Sequence, residues 1–327
     1  MKFFGKGTEP GEKGLMRDEF LRSRPARDSA TPKGFTLAEV MLAMVITAIL
    51  LAGIYNLFGS QEKSQVLVDQ MAEMNQDLRV AATMITRDMR MAGYHMENGE
   101  ATSGTNPVTG GGGPVNAIEI VEGSSGAPDA IIVMYADANL LTTITSPMPS
   151  PSAELNVSGV CASGVSYSEA ECLPGGQKRC FCENDLVVIT DGANSSVFCV
   201  TQVQAASLKL QHNPGEGDPC GEYNDPGGHG TFPGYGSGSR LMRLIRKRYE
   251  VDLSDASRPV LRMTEGVGLN GAQPMVDYIE DLQVQPTTPN QRSYTVNLTA
   301  RTRKPLPGIG GIRRKSITET VRVRNIP

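Results

Sequence analysis

No tryptophan, no CxxC pair and no cluster of histidines occurs anywhere in the chain. Each gap removes a class of function. The three histidines (His95, His212, His229) are scattered and HExxH is missing, so no zinc-hydrolase centre is expected. CxxCH is missing as well, which removes covalent haem attachment. No glycine-rich loop ends in Lys-Ser or Lys-Thr, and Gly110–Gly113 runs into Pro114 instead of a helix start. Gly234–Gly238 lacks the spacing of a GxSxG nucleophile elbow. Neighbouring carboxylates such as Glu280 and Asp281 alternate faces on a strand and do not converge. Neither catalysis, a metal nor a cofactor is expected.

Basic charge is also scarce where it would matter. The 31 Lys and Arg against 35 Asp and Glu give a net −4, but residues 1–34 alone carry eight basic and five acidic groups. Without them, 23 basic residues face 30 acidic ones, a balance of −7. An acidic chain without a basic stripe is a poor ligand for phosphate backbones, so no nucleic-acid partner is expected. With 39% hydrophobic residues, 36 Gly and 21 Pro, the 327-residue chain is long enough for one large loop-rich domain or two ordinary ones. No fixed-period repeat is visible.

All six cysteines (Cys161, Cys172, Cys180, Cys182, Cys199, Cys220) fall within sixty residues. An even number, closely packed in a chain with export features, reads as disulfides, and a zinc site is the weaker alternative. Six cysteines allow fifteen pairings, and the sequence does not choose among them. Cys180 and Cys182, two apart, would share a strand face and bond to different partners.

Phe35–Phe58 reads FTLAEVMLAMVITAILLAGIYNLF, with one carboxylate, Glu39, and no Lys, Arg or Asp. At about 1.5 Å per residue it spans a hydrocarbon layer of about 30 Å. Arg22, Arg24, Arg27 and Lys33 stand upstream, which places the N-terminus in the cytoplasm and the C-terminal part outside. A secretory signal peptide has a shorter apolar run, of about 7–15 residues, followed by a small-residue cleavage site. Here the distinctive residues stand before the run.

Those residues, Lys33-Gly34-Phe35-Thr36-Leu37-Ala38-Glu39, resemble the processing and methylation motif of type IV prepilins and type II secretion pseudopilins. The resemblance implies cleavage between Gly34 and Phe35 by a prepilin peptidase that also N-methylates Phe35. It further implies that Glu39 pairs with the terminal amine of a neighbouring subunit, neutralising two charges in lipid. Two departures stand out. The leader is long, with Met16 as a second candidate start, and no proline kinks the stretch from Phe35 to Tyr94. Gly53 and Gly59 are the weaker points of an otherwise straight helix.

Past Phe58 apolar residues recur at Leu67, Met71, Met74, Leu78, Ala81, Ala82, Ile85, Met89 and Ala92, in steps that mark one helix face. Asp69, Glu73, Asp77 and Asp88, with Arg79, Arg87 and Arg90, are assigned to other faces, and Gly93 to the stop. The methionines on this stripe read as core rather than as a binding surface. Short β-rich runs follow at 117–121, 130–135, 185–190, 196–203, 207–211, 240–253, 259–263, 275–284, 293–303 and 315–323, separated by Gly/Pro/Ser clusters. The expected fold is α+β: a long N-terminal helix packed on an antiparallel β-sheet headgroup. Its divisions are a cleaved cytoplasmic leader (1–34), a transmembrane half-helix (35–58), an amphipathic half-helix (59–93) and a β-rich headgroup (94–327). Residues 161–220 form a disulfide-stapled insertion within it.

Ile85–Tyr94 (ITRDMRMAGY), Tyr278–Gln285 and Thr320–Ile326 resemble segments of PilW-like minor pilins and the related J-type minor pseudopilins. That resemblance implies a minor pilin that primes type IV pilus assembly at or near the tip. The alternatives are a minor pseudopilin of type II secretion, or a tip adhesin whose site lies in the cysteine-rich loops. Implied partners are other minor and major pilins, the peptidase/N-methyltransferase, the inner-membrane assembly platform and membrane lipid. The implied route runs from the inner membrane, headgroup periplasmic, to the pilus surface.

Overall fold

The structure, a computed structural model, describes residues 34–96, 100–103, 114–150, 154–172, 178–213, 220–224, 233–268, 271–287, 292–306 and 310–323. Two compact units divide the chain, Met1–Gly59 and Ser60–Pro327.

Helix α1 covers Leu37–Met91 and runs through Gly53 and Gly59 without a break. Its residues are largely Ala, Leu, Met, Glu and Gln, which lose little rotamer freedom in a helix, and proline is absent. In the first unit the apolar side chains of α1 are exposed, Ile49 at 67% and Leu50 at 60%. The helix is long and apolar enough to cross a membrane. In the second unit burial starts at Gln70 and continues through Met74, Leu78, Ala81, Ala82, Ile85 and Met89, the apolar stripe of the sequence. Gly93, at φ 74, takes the left-handed turn that ends the helix. Its N–H then donates to the Met134 carbonyl at 3.0 Å.

The second unit is built from strands β1 (Glu100–Ser103), β2 (Pro114–Asn116), β3 (Ile118–Val121), β4 (Ala130–Thr143) and β5 (Leu155–Asn156). Then come β6 (Leu186–Thr190), β7 (Ser195–Cys199), β8 (Gln202–Gln204), β9 (Lys209–Gln211) and β10 (Arg240–Asp252). The last are β11 (Val260–Glu265), β12 (Gln273–Asp277), β13 (Ile279–Pro286), β14 (Ser293–Arg301) and β15 (Arg314–Arg322). A nine-stranded sheet contains β12-β11-β10-β6-β7-β1-β2, with β4 on β10 and β3 on β4. Separate three-stranded sheets are β13-β14-β15 and β5-β9-β8. Pairing is antiparallel except between β1 and β7, which are parallel. The long chain between those two strands makes the crossover that a parallel pair requires.

Three expectations are refined. β4 runs past Tyr135: Ala136 and Asp137 pair with Leu244 and Arg243 of β10 despite poor strand propensity, and after an irregularity pairing resumes at Leu141. The run at 275–284 divides at Tyr278, whose φ of 62 turns the chain from the large sheet into the β13 sheet. The run at 196–203 divides where the backbone changes partners: the Val200 N–H donates to Asp185 and the Thr201 N–H to Gln211. Residues 161–220 contribute β6 and β7 to the main sheet itself.

One buried cluster joins α1 to that sheet. Asp88, assigned from sequence to an outer face, is instead only 6% exposed. It lies one residue from Met89 and seven from Ala81, which is the core face. Its carboxylate accepts from Lys247 Nζ at 2.9 Å, Tyr249 OH at 2.7 Å and Tyr135 OH at 3.3 Å. Burial, reinforced by the Asp88 charge, pushes both phenols up, so they stay donors. Burial alone would lower the Lys247 ammonium; its bonds to Asp88 and Tyr135 outweigh this and leave it raised.

Three disulfides tie the loops: Cys161–Cys180, Cys172–Cys182 and Cys199–Cys220. Cys180 and Cys182 thus take different partners. Cys161 and Cys180 also form an isolated backbone bridge. Beside Cys199, the Asn224 amide acts as a strand partner, accepting from Cys199 N–H at 2.9 Å and donating to its carbonyl at 2.7 Å.

Asp88→Ala should lower unfolding stability by about 3–5 kcal/mol, since Lys247 is left buried without its counter-charge. Urea denaturation measures it. Replacing Cys199 and Cys220 together by Ser should cost about 2–4 kcal/mol, read as a lower urea midpoint at unchanged slope.

Candidate functional site

The N-terminal site is built from the first turn of α1. Gly34, Phe35 and Thr36 precede the helix in non-helical backbone, and Phe35 is 87% exposed. Thr36 is the N-cap and Glu39 the third helical residue. The Thr36 N–H donates to Glu39 Oε2 at 2.9 Å, and the Thr36 hydroxyl donates to the same oxygen at 3.0 Å. The Glu39 N–H lies 3.3 Å from Thr36 Oγ1. This is a reciprocal capping box, which satisfies donors that the first turn would otherwise leave open. The sequence reading assigned Glu39 to charge pairing and missed the box. The Thr36-x-x-Glu39 spacing is the signal that would have found it.

Phe35, Glu39, Ala43, Thr47 and Leu51 recur every four residues and line one face, with Val40, Met44 and Ala48 beside them. The Thr47 hydroxyl donates to the Ala43 carbonyl at 2.7 Å, so it presents little polarity outward. Glu39 is therefore the single ionisable group on an exposed apolar stripe. Among the described residues a Cβ added at Gly34 would meet no atom within 4 Å, so their packing does not require glycine there.

The six cysteines lie in the other compact unit and are all in disulfides, leaving no free thiol among them. Asp185 organises their loops: Lys178 Nζ donates to Oδ1 at 2.5 Å and the Cys182 N–H to Oδ2 at 2.8 Å. His212 is buried and stacks on Phe198 at 4.7 Å between centroids. His95 follows the end of α1, and His229 lies outside the described residues. Among the described residues no three His, Cys, Asp or Glu side chains converge as metal ligands.

Residues 31–55 match the prokaryotic N-terminal methylation motif. No curated protein and no solved structure matches the chain. The architecture is α+β and pilin-like: one long apolar N-terminal helix, antiparallel sheets and three disulfides. Together with the motif, it indicates a type IV pilin-like or pseudopilin protein.

Proposed function

We propose that the chain is a minor pilin that primes assembly of a type IV pilus and sits at or near its tip. The observation that carries this reading is a single carboxylate, Glu39, one turn inside an exposed and otherwise charge-free stretch that begins at Gly34–Phe35. Prepilin peptidase cuts there and methylates Phe35. Glycine at position 34, which no contact among the described residues demands, is explained by the enzyme that must read it.

The capping box gives Glu39 two hydrogen-bond donors but no opposite charge. An ionised carboxylate in hydrocarbon still costs several kcal/mol. Cleavage supplies the missing cation, the new Phe35 amine. Pairing Glu39 with that amine on an adjacent subunit neutralises both groups and fixes an axial register. Residues 35–58 then anchor the chain in the inner membrane, and residues 59–93 carry the headgroup (94–327) in the periplasm until the filament leaves the cell.

A minor rather than a major subunit is favoured by the large headgroup with its Gly/Pro-rich loops. The likeness of Ile85–Tyr94, Tyr278–Gln285 and Thr320–Ile326 to PilW-like proteins points the same way. Partners on this reading are other minor and major pilins, the peptidase/N-methyltransferase and the inner-membrane assembly platform. The J-type likeness supports a second reading, a minor pseudopilin of type II secretion, which neighbouring genes separate from the first. A tip adhesin acting through the disulfide-bonded loops is a third; deleting them would then abolish attachment and spare piliation.

Mass spectrometry of protein purified from membranes tests the processing step. The expected N-terminus is N-methyl-Phe35. An intact leader, or cleavage after Phe58, contradicts the reading.

A further inference from the structure

We propose that the outer edge of β15, together with the α1 face beside it, docks an extended acidic segment of a different filament subunit. This rests on the filament reading above. β15 is bonded on one side to β14 over nine consecutive register positions without a bulge. No described strand occupies its other side. The opposite edge of that small sheet, β13, is closed: the Asp129 N–H donates to the Leu282 carbonyl at 2.7 Å, and Asp129 Oδ2 accepts from the Val284 N–H at 2.9 Å. An open, regular edge strand is a template for a strand from another chain, with main-chain bonds giving affinity and side chains selecting the partner.

Charge selects here. Two depressions of about 430 and 250 Å³ lie between α1 and β15. Arg79, Arg90 and Lys315 line them against one carboxylate, Glu319. Lys315 Nζ donates at 2.6 Å to Asn75 Oδ1, a neutral partner, so its charge stays uncompensated. Neither arginine has an ion pair among the described residues. The charges along β15 itself weigh against a second copy of this chain. Laid parallel in register, a copy would set Lys315 and Arg322 each against itself; laid antiparallel, it would set Arg322 against Arg314, whose charge Glu280 already partly balances. Like charges directly opposite destabilise a strand pair, and repulsion of the wrong partner is half of specificity. An acidic strand meets neither obstacle and finds three cations.

The test uses the full-length protein in its filament-forming cells, with a photo-crosslinking amino acid at Thr318 or Thr320, both exposed, and a control at exposed Leu208. The expected product joins this chain to another filament subunit through a peptide of net negative charge. Arg79→Glu with Lys315→Glu should cut its yield about tenfold or more, while Arg79→Lys with Lys315→Arg should keep it. The proposal is overturned by crosslinks to a second copy alone, to lipid or to nucleic acid. It is equally overturned by yield that ignores charge reversal, or by none above the Leu208 control. N-methyl-Phe35 in the same preparation shows that processing has occurred, so a missing crosslink then counts against this surface and not against the filament reading.

Discussion

A carboxylate placed one turn into a charge-free apolar helix needs a counter-charge as well as hydrogen bonds, and in the proposed filament everything else follows from how Glu39 obtains it. The capping box with Thr36 meets the bonding need within the chain and holds the side chain at the helix start. It cannot neutralise the group. In the proposed filament the counter-charge is the Phe35 ammonium, which would form when the chain is cut after Gly34. On the proposed reading, processing, membrane residence and assembly would be linked by a single ion pair, because the pair could not form before the peptide bond is cut.

The rest of α1 solves a different problem with the same secondary structure. From Gln70 onward one face is buried under the headgroup, where hydrophobic burial supplies the stability. Asp88 adds specificity to that packing. The buried carboxylate takes bonds from Lys247, Tyr249 and Tyr135, and a rotation of the helix that withdrew it would leave those donors buried without their partner. The disulfides act farther out: Cys199–Cys220 ties the end of β7 to the following loop, and Cys161–Cys180 and Cys172–Cys182 tie the loops ahead of β6.

Much of this was legible in the residues. The apolar stripe from Met74 to Met89 has the helical period and is buried as that period requires. Tyr294 to Ala300 alternates as a half-buried strand should and becomes β14. Local pattern fails where tertiary partners decide. Ala136 and Asp137 are strand because β10 pairs with them, and the turn at Tyr278 depends on a change of sheet. Asp88 was misplaced by the habit of putting charge outside, although its spacing from Ala81 and Ile85 already set it on the core face. Cysteine pairing was beyond reach, since fifteen topologies share one sequence. At the N-terminus the motif itself was plain, while its reciprocal cap was overlooked because Glu39 already had a role.

The most direct measurement of the Glu39 account compares Glu39→Gln with the parent for N-methylation, membrane insertion and recovery in sheared filaments. Gln keeps the capping oxygen and removes the charge. The account predicts normal processing and insertion with filament recovery reduced about tenfold or more, the scale of one lost ion pair at low dielectric. Recovery equal to the parent would contradict it.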